Sequence, residues 1–491
     1  MTTVEGRRAW GVLTVLCLGQ SLVLLNSTVV NVAVPDLAAD LGASLDGVLW
    51  VVNSYVVVVT GLLLVTARLG DLVGPKRMYL AGVALFTAAS VLCGLAGSPG
   101  QLVAARVAQG VGAAMLSPQS LSMISRLFPP ERRGAAFGLW GSFAGISVAI
   151  APTFGGLLVS WLDWRWVFLV NVPIGVCVLV TAAVVVPAVR VDGRRRLDLA
   201  GTVLVTAALF LISFALIEGE PRGWGSVWGP VTVPVLLGVG VLALVGFALV
   251  QRGRQARDPL VPFAVVRDRD FVLMSAVSAA IACGVGGTLF LVLLHLQIAA
   301  GMSALAAGLV VAAAPAVSAL ASPLAGRLTD RLDGRVVLAA GLACTALGAG
   351  YLAAVLSPGA RWPVLLPPLL VFGFGMGVVF SPAAVIAMRA VPPELAGAAS
   401  GLFNLARMSG TAVGGAAVGA LLQARLGRPD ADLDAIPPDA LGDAVRVVFT
   451  LPVLVLVAGI ALTAAARSRP AEGVGPDLGA VPARAGGTAT R

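Results

Sequence analysis

Residues 129–139 read PPERRGAAFGL, and residues 392–402 read PPELAGAASGL. Eight of the eleven positions are identical, and the second copy lies 263 residues after the first. A second pair, ARLGD at 67–71 and GRLTD at 326–330, is separated by 259 residues. Both pairs keep the same order along the chain, which predicts two parallel repeats. Parallel repeats are one layout of membrane carriers whose halves move about a central site.

The composition predicts that lipid surrounds most of the chain. Hydrophobic residues make up 58% of the 491 residues and charged residues only 12%, whereas soluble domains carry about 25% charged residues. Fourteen apolar stretches are long enough to span a membrane as helices, so we expect an all-α integral membrane protein. These predicted spans 1–14 cover residues 10–34, 47–67, 78–97, 101–125, 134–160, 165–187, 198–217, 231–250, 271–294, 304–325, 336–356, 363–388, 397–423 and 445–466.

The basic residues predict the orientation. With fourteen spans, 25 of the 33 lysines and arginines fall on the side that carries both termini, 6 fall on the other side, and 2 lie within spans. The positive-inside rule then predicts an inner-membrane protein with both termini in the cytoplasm. The net charge of +9 does not predict nucleic-acid binding, because the basic residues are dispersed among loops.

The repeats predict the division of the chain into domains. Residues 1–188 hold spans 1–6, residues 189–257 hold an unpaired insert of spans 7 and 8, and residues 258–466 hold spans 9–14. Residues 467–491 are rich in Gly, Pro, Ala and Arg without periodicity, so we expect a disordered cytoplasmic tail.

The turn between spans 2 and 3 is a candidate gate. Gly74 and the proline after it force the turn. Asp71 can pair with Arg77 or cap the N-terminus of a nearby helix, whose dipole favours an anion. An ordinary solvated turn is the alternative, but Asp330 occupies the equivalent place in the second repeat. We therefore interpret Asp71, Gly74, Lys76, Arg77 and Asp330 as gating residues.

Two arginines lie inside predicted spans. Arg106 is about five residues into span 4, where a charge usually faces a cavity or a partner, although it can also snorkel to the interface. Gln109 follows on the same helix face. Arg407 in span 13, with Asn404 one turn before it, is expected to line a central cavity. Inward-facing arginines favour neutral or anionic lipophilic substrates over dications.

Span 5 combines a proline with small residues. Pro152 is expected to bend the helix, and Gly155 and Gly156 let neighbouring helices approach closely. Ordinary tight packing is one interpretation. A bend that seals one face of a carrier is the functional one, and the two are compatible.

These segments resemble the major facilitator superfamily, and in particular its fourteen-span drug:proton antiporters. ARLGDLVGPKR at 67–77 is similar to the signature G-x-L-x-D-x-x-G-x-K/R-R/K, with alanine for its first glycine. RVAQGVGAA at 106–114 resembles R-x-x-Q-G-x-G-A-A, and APTFGG at 151–156 resembles the antiporter motif G-P-x-x-G-G. WRWVFLVNVPIG at 164–175 and LNSTVVNVAVP at 25–35 resemble W-R-W-I-F-L-I-N-V-P-I-G and L-D-x-T-V-V-N-V-A-L-P.

The resemblance implies a major-facilitator fold of 6 + 2 + 6 spans and an exporter of small lipophilic compounds such as drugs and antibiotics, coupled to proton influx. Asn26 stands where the span 1 motif carries an Asp, and Asn31 matches the motif's own Asn. Asn26 can exchange hydrogen bonds but cannot titrate. No acid lies near the middle of a predicted span, so a proton would have to bind nearer an end. Asp36 and Asp46, at the outer mouth, are favoured as proton sites over Glu218, which ends span 7 in the unpaired insert. The alternative is that both are solvated loop acids.

The expected partners are a small lipophilic molecule, protons and the bilayer, with the protein acting as a monomer. A carrier of the same fold for an endogenous metabolite, lipid or peptide is the alternative, and a receptor or scaffold that does not transport is another. We do not expect an enzyme, a metal or a cofactor. The sequence contains no paired carboxylates, no metal-ligand cluster and no nucleotide-binding G-x-x-x-x-G-K-[S/T]. The sole histidine, His295, reads as an interfacial filler or, alternatively, as a proton relay.

Overall fold

The computed structural model describes residues 6–43, 45–188, 198–219, 222–255, 259–356, 361–389, 391–426 and 438–467. Nearly all of this part of the chain is helical. The predicted tail beyond residue 467 lies outside the described residues.

The first group of helices begins the chain and is followed by the first helix of the insert. These helices are α1 (Gly6–Leu41), α2 (Leu45–Val73), α3 (Pro75–Gly94), α4 (Pro99–Leu127), α5 (Pro130–Trp161), α6 (Trp166–Leu169), α7 (Asn171–Val185) and α8 (Leu199–Gly219). A short antiparallel hairpin, β1 (Ser226–Trp228) and β2 (Val231–Thr232), follows α8, with Ser226 opposite Thr232 and Trp228 opposite Val231.

The second group follows α9 and the short α10. The remaining helices are α9 (Val233–Gly253), α10 (Phe263–Val266), α11 (Arg269–Leu294), α12 (Ala304–Val311), α13 (Ala313–Arg331), α14 (Gly334–Val355), α15 (Trp362–Arg389), α16 (Ala396–Leu426), α17 (Pro438–Val448) and α18 (Thr450–Ala464). A π-helical turn, His295–Ala299, ends α11, and a 3₁₀ turn, Pro393–Leu395, precedes α16.

Local sequence signals explain where several helices begin. Gly74 has φ +104°, which a side chain would disfavour, and the proline after it opens α3. Ser98 caps α4 by accepting a hydrogen bond from the Gln101 amide. Asp268 caps α11 in the same way, through the Phe271 amide. Tight turns at these points return the chain across the bundle.

Twelve helices within the described residues are long and apolar enough to cross a membrane, and residues 200–216 of α8 form a shorter apolar helix. The predicted all-helical membrane fold is therefore confirmed. The predicted number of fourteen is not reached by this criterion. The difference is α8, whose apolar stretch covers only residues 200–216, and α4, whose apolar character is diluted by residues such as Arg106, Gln109 and Gln119.

The two groups meet in a pseudo-symmetric way. Helix α5 of the first group packs along α13 of the second, and α16 of the second packs along α2 of the first. By the sequence repeat, α5 corresponds to α16 and α2 to α13, so both interfaces use the same pair of equivalent helices. Helices α8 and α9 pack on each other, and α8 also lies against both α2 and α16. The space between these two interfaces is lined by helices of both groups.

Candidate functional site

A buried guanidinium occupies the interior of the first group. Arg106 is only 1% exposed. Its Nε donates to the Val51 carbonyl oxygen at 2.9 Å, and its Nη1 donates to Asn26 Oδ1 at 2.9 Å and to Gln109 Oε1 at 2.7 Å. The guanidinium also lies over the ring of Tyr55, 4.4 Å from its centroid. Among the described residues, no carboxylate lies within ion-pair distance of it, so neutral acceptors and a π-face balance this charge.

Further hydrogen bonds fix this network. Gln109 Nε2 donates to Ser90 Oγ at 2.8 Å, and Ser90 Oγ donates to the Phe86 carbonyl oxygen at 2.7 Å. Asn26 and Gln109 are completely buried, and Asn26 Nδ2 has no hydrogen-bond partner among the described residues. The network links α1, α2, α3 and α4. Arg106 is therefore a buried side chain that holds these helices together, which we call a strut, and it does not snorkel to the interface.

Glycines in α4 bring Arg106 inside the group. A Cβ added at Gly110 would lie 3.0 Å from the Tyr55 carbonyl oxygen, and one added at Gly112 would lie 2.6 Å from the Phe86 amide nitrogen. Any side chain at these positions would push α4 away from α2 and α3. The glycines that follow Arg106 in its motif are therefore what allows the arginine to reach acceptors on the neighbouring helices.

A cavity of about 190 Å³ lies between the two groups. Helices α1 and α5 line it from the first group, and α11, α13, α15 and α16 line it from the second. The wall is largely apolar, and Arg407 is the one charged residue among the described lining residues. Arg106 does not line this cavity, although the sequence suggested that it might face one.

Arg407 is held on the cavity wall by its own helix. Its Nη2 donates to Asn404 Oδ1 at 3.3 Å, and Asn404 Nδ2 in turn donates to the Ser400 carbonyl oxygen at 3.2 Å. On the facing wall, Trp140 of α5 has a buried indole nitrogen without a hydrogen-bond partner among the described residues. Sequence reasoning did not single out Trp140, because a tryptophan inside an apolar stretch does not differ from a packing residue.

The repeated acids cap helices of the opposite group. Asp71, at the end of α2, accepts a hydrogen bond from the Ala398 amide of α16 at 3.0 Å and pairs with Arg126 at 2.9 Å. Asp330, at the end of α13, accepts hydrogen bonds from the Gly134 and Ala135 amides of α5, at 2.7 and 2.8 Å. Asp71 thus meets the first turn of α16, where the helix dipole favours an anion, and Asp330 meets the fifth and sixth residues of α5. We call these two contacts the crossed caps.

The crossed caps also explain the repeated PPE…GAA stretches. Gly134 and Gly397 are the equivalent sixth residues of the two repeated stretches. A Cβ at Gly397 would overlap the Asp71 carboxylate, and a Cβ at Gly134 would overlap both Asp330 and the Gly326 backbone. Only glycine lets the carboxylates approach these amides. The crossed caps therefore close the bundle at one end, which we call the arginine-rich end because Arg126 and Arg133 lie there.

The rest of the loop 2–3 motif has separate roles. Lys76 Nζ donates to the Ala183 carbonyl oxygen at 2.8 Å, near the C-terminus of α7. The C-terminal end of a helix dipole favours a cation there. Arg77, the ion-pair partner of Asp71 that the sequence suggested, is exposed. Asp71 pairs with Arg126 of α4. Of the two roles considered for Asp71, the structure places it as a helix cap.

The glycines of the α5 motif lie towards the opposite end of the bundle. A Cβ at Gly155 would be 2.9 Å from Val29 of α1, and one at Gly156 would be 3.2 Å from Leu305 of α12. Gly155 packs within the first group, whereas Gly156 faces the second. Pro152 lies in the helical backbone of α5, but its side chain is outside the described residues.

A polar clamp lies at the end opposite the crossed caps. Trp164 Nε1 and Arg165 Nη1 both donate to Asp40 Oδ2, at 3.1 and 2.9 Å. These hydrogen bonds hold the pKa of the Asp40 carboxyl below its usual value, so it stays charged at physiological pH. Trp164 is 2% exposed and belongs to this clamp, whereas Trp161 is 77% exposed.

The structure informs the candidate proton sites only in part. Asp36 is exposed near the end of α1. The side chains of Asp46 and Asn31 lie outside the described residues. His295 was expected at an interface, but it is fully buried on the π-helical turn, and neither ring nitrogen has a hydrogen-bond partner among the described residues.

Two repeated helical groups that enclose a cavity and cap each other's helices define a membrane carrier of the alternating-access type. The family model of the Major Facilitator Superfamily matches residues 16–415 and, in a second match, residues 276–482. The chain belongs to the major facilitator superfamily. The resemblance of its motifs is thereby confirmed, as is the prediction that the chain is a transporter and not an enzyme.

Relatives extend over most of the chain. Multidrug resistance protein Stp of Mycobacterium tuberculosis is 37% identical over 411 residues, which cover 83% of this chain and 75% of that protein. Puromycin resistance protein pur8 of Streptomyces alboniger is 35% identical over 473 residues, which cover 93% and 91% of the two chains. The crystal structure of the human organic anion transporter MFSD10 matches 91% of this chain and 99% of its own with a TM-score of 0.59 at 16% identity, which shows a shared fold.

Proposed function

We propose that this protein exports small lipophilic compounds, such as drugs or antibiotics, across the inner membrane. The observation that carries the proposal is the largely apolar cavity that both groups line. An exporter needs a site that each half can contribute to and that either end can expose. Relatives named for multidrug and puromycin resistance, similar over most of the chain, support the same activity.

The proposal includes fourteen spans, arranged as 6 + 2 + 6, with both termini in the cytoplasm. Helix α4 packs between α2 and α3 inside the first group, and α8 packs on α2, α9 and α16. Both helices pack along neighbours that are long and apolar enough to cross the membrane, which supports counting them as spans. The division at residues 188, 257 and 466 follows the repeats and leaves α8 and α9 as the insert. The distribution of 25 basic residues against 6 supports the orientation.

Alternating access would operate through the crossed caps. They hold the arginine-rich end closed by pairing each carboxylate with a helix start on the other group. Opening this end separates the carboxylates from the amides, and the charges are then solvated by water. The hydrogen bonds of the carboxylates to the amides are thus replaced by hydrogen bonds to water. Binding of substrate or of a proton can then shift the equilibrium between the closed and the open state.

Coupling to proton influx is part of the proposal and rests on the family resemblance. Asn26 cannot carry a proton, and Arg106 holds it by a hydrogen bond inside the first group. Asp36, exposed near the end of α1, and Asp46 are the acids placed to sense closure of the outer mouth. A carboxyl that becomes desolvated on closure binds a proton more readily.

The test is accumulation of a panel of dyes and antibiotics in cells that express the protein, with and without an uncoupler. We expect lower accumulation than in cells that carry the empty vector. Loss of that difference on adding the uncoupler would support proton coupling. Equal accumulation in both strains for every compound would contradict export, and efflux that ignores the uncoupler would contradict coupling alone.

A further inference from the structure

The polar side chains of the described cavity lining include no anion. Arg407 carries the only charge among the described lining residues, and no described lining residue has a carboxylate. The remaining polar side chains are the Trp140 indole, which can only donate, and the hydroxyls of Ser318 and Ser322. In a cavity whose walls are otherwise apolar, a guanidinium raises the energy of a bound cation and lowers that of a bound anion, because little water screens the charge.

Arg407 also has unused hydrogen-bonding capacity. A guanidinium carries five N–H donors, and within the described part of the chain, that of Arg407 makes one hydrogen bond, the 3.3 Å contact with Asn404. Asn404 is itself anchored to the Ser400 carbonyl, which orients its oxygen towards the arginine. The side chain is therefore positioned but not saturated. Arg106 differs in this respect, because its recorded hydrogen bonds go to three acceptors and it is closed off from the cavity.

The two facing walls offer complementary contacts to one molecule. Trp140, on α5 of the first group, presents a flat ring and a free N–H, and Arg407 lies on α16 of the second group. Met376 and Phe380 of α15 add apolar surface beside them. The volume of about 190 Å³ fits a group somewhat larger than benzene, which occupies a cavity of about 150 Å³ in a well-studied case.

We infer that the cavity binds lipophilic organic monoanions, with a carboxylate, phenolate or enolate oxygen paired to Arg407 and an aromatic body against Trp140 and Phe380. The inference rests on the proposed export function and specifies its substrate class. Arg407 is then the residue that selects for charge. A planar oxyanion suits a guanidinium, since the two can form parallel hydrogen bonds.

The test uses a matched pair of probes, a fluorescent aromatic carboxylic acid and its methyl ester, with the purified full-length protein in lipid nanodiscs. We expect the wild type to bind the acid about tenfold more tightly than the ester, as one charge-assisted hydrogen bond provides. Arg407→Gln should reduce the ratio of the two affinities to about one. Arg407→Lys should retain part of the preference. Arg425→Gln, which changes an exposed arginine of the same helix, should leave the ratio unchanged.

The outcomes separate this inference from the export proposal. An unchanged affinity ratio in Arg407→Gln, or an ester that binds as tightly as the acid in the wild type, overturns the anion site even if neutral dyes are exported. A clear preference for the acid that depends on Arg407 supports the site. If such a protein moved none of the panel compounds in reconstituted vesicles, export would be the part that fails.

Discussion

At Arg106 a buried charge meets only neutral acceptors among the described residues. We expect Arg106→Met to lower the melting temperature of the purified protein clearly, because the Asn26 oxygen, the Gln109 oxygen and the Val51 carbonyl would lose their donor. A buried acceptor without a partner costs about 1–3 kcal/mol. Thermal melting in detergent measures the change, and Arg425→Met, on an exposed arginine, is the control. Equal melting temperatures for the two variants would contradict the role of Arg106 as a strut.

His295 presents the opposite case, a buried polar ring without a hydrogen-bond partner among the described residues. We expect His295→Leu to raise the melting temperature, because it removes two nitrogens that lose their hydration on burial. Efflux should be measured in parallel. Unchanged efflux would indicate a packing residue, whereas a more stable variant without efflux would support the relay role. A lower melting temperature would show that the imidazole makes a stabilising contact.

Single residues show how far the sequence could be interpreted. The shared helix face of Arg106 and Gln109 was predictable from their spacing, because helix periodicity is local. Their acceptors on α1, α2 and α3 were not, since these depend on how helices far apart in sequence pack. The burial of Trp164 was not predictable for the same reason, because its partner Asp40 lies 124 positions earlier in the sequence.

Between elements, the crossed caps decide which end of the bundle is closed. Asp71→Asn should abolish efflux with little loss of expressed protein, because an amide loses the pair with Arg126 and weakens the cap on α16. Asp330→Asn should cost less, since its recorded partners are two backbone amides and one amide oxygen can still accept a hydrogen bond. Efflux rates at matched expression test this order. Equally small losses of efflux in the two variants would mean that both acids are ordinary solvated turn residues.

The glycines that receive the caps allow a sharper test of geometry. Gly397→Ala keeps every charge but places a methyl group where the Asp71 carboxylate lies. We expect efflux to fall as far as in Asp71→Asn. Gly415→Ala is the matched control, because it lies on the same helix and a Cβ there would have no neighbour within 4 Å. Full activity of Gly397→Ala would show that the cap can be lost without consequence.

For the whole molecule, the repeats were sufficient to predict two equivalent groups, and the motifs were sufficient to recognise the family. They could not predict that each repeated acid caps the other group, because a repeat records which residues are equivalent and not which interface they occupy. The cavity could not be predicted in detail either. Its lining comes from six helices, and residues such as Trp140 carry no local signal that separates a cavity wall from a packed core.

The two groups touch near both ends of the cavity, so the molecule must break one contact to open either side. A Cβ at Gly401 would lie 2.6 Å from Ala67 Cβ on the arginine-rich side, and Gly156 faces Leu305 on the other. With the five native cysteines replaced, a disulfide between Ala67→Cys and Gly401→Cys should stop efflux. The two helices must first separate by about 1 Å, because Cβ atoms in a disulfide lie about 3.8 Å apart. A reductant should therefore restore efflux to the level of the Gly401→Cys single variant.

Gly156→Cys with Leu305→Cys tests the other end, where a Cβ added at Gly156 would lie 3.2 Å from Leu305 Cδ1. Rigid groups that alternate must open both ends in each cycle, so either disulfide should suffice to stop transport. The single-cysteine variants control for the substitutions themselves. Complete cross-linking at either end with undiminished efflux would mean that the two groups do not move apart there, and the substrate would then have to leave the cavity sideways, between helices, into the bilayer.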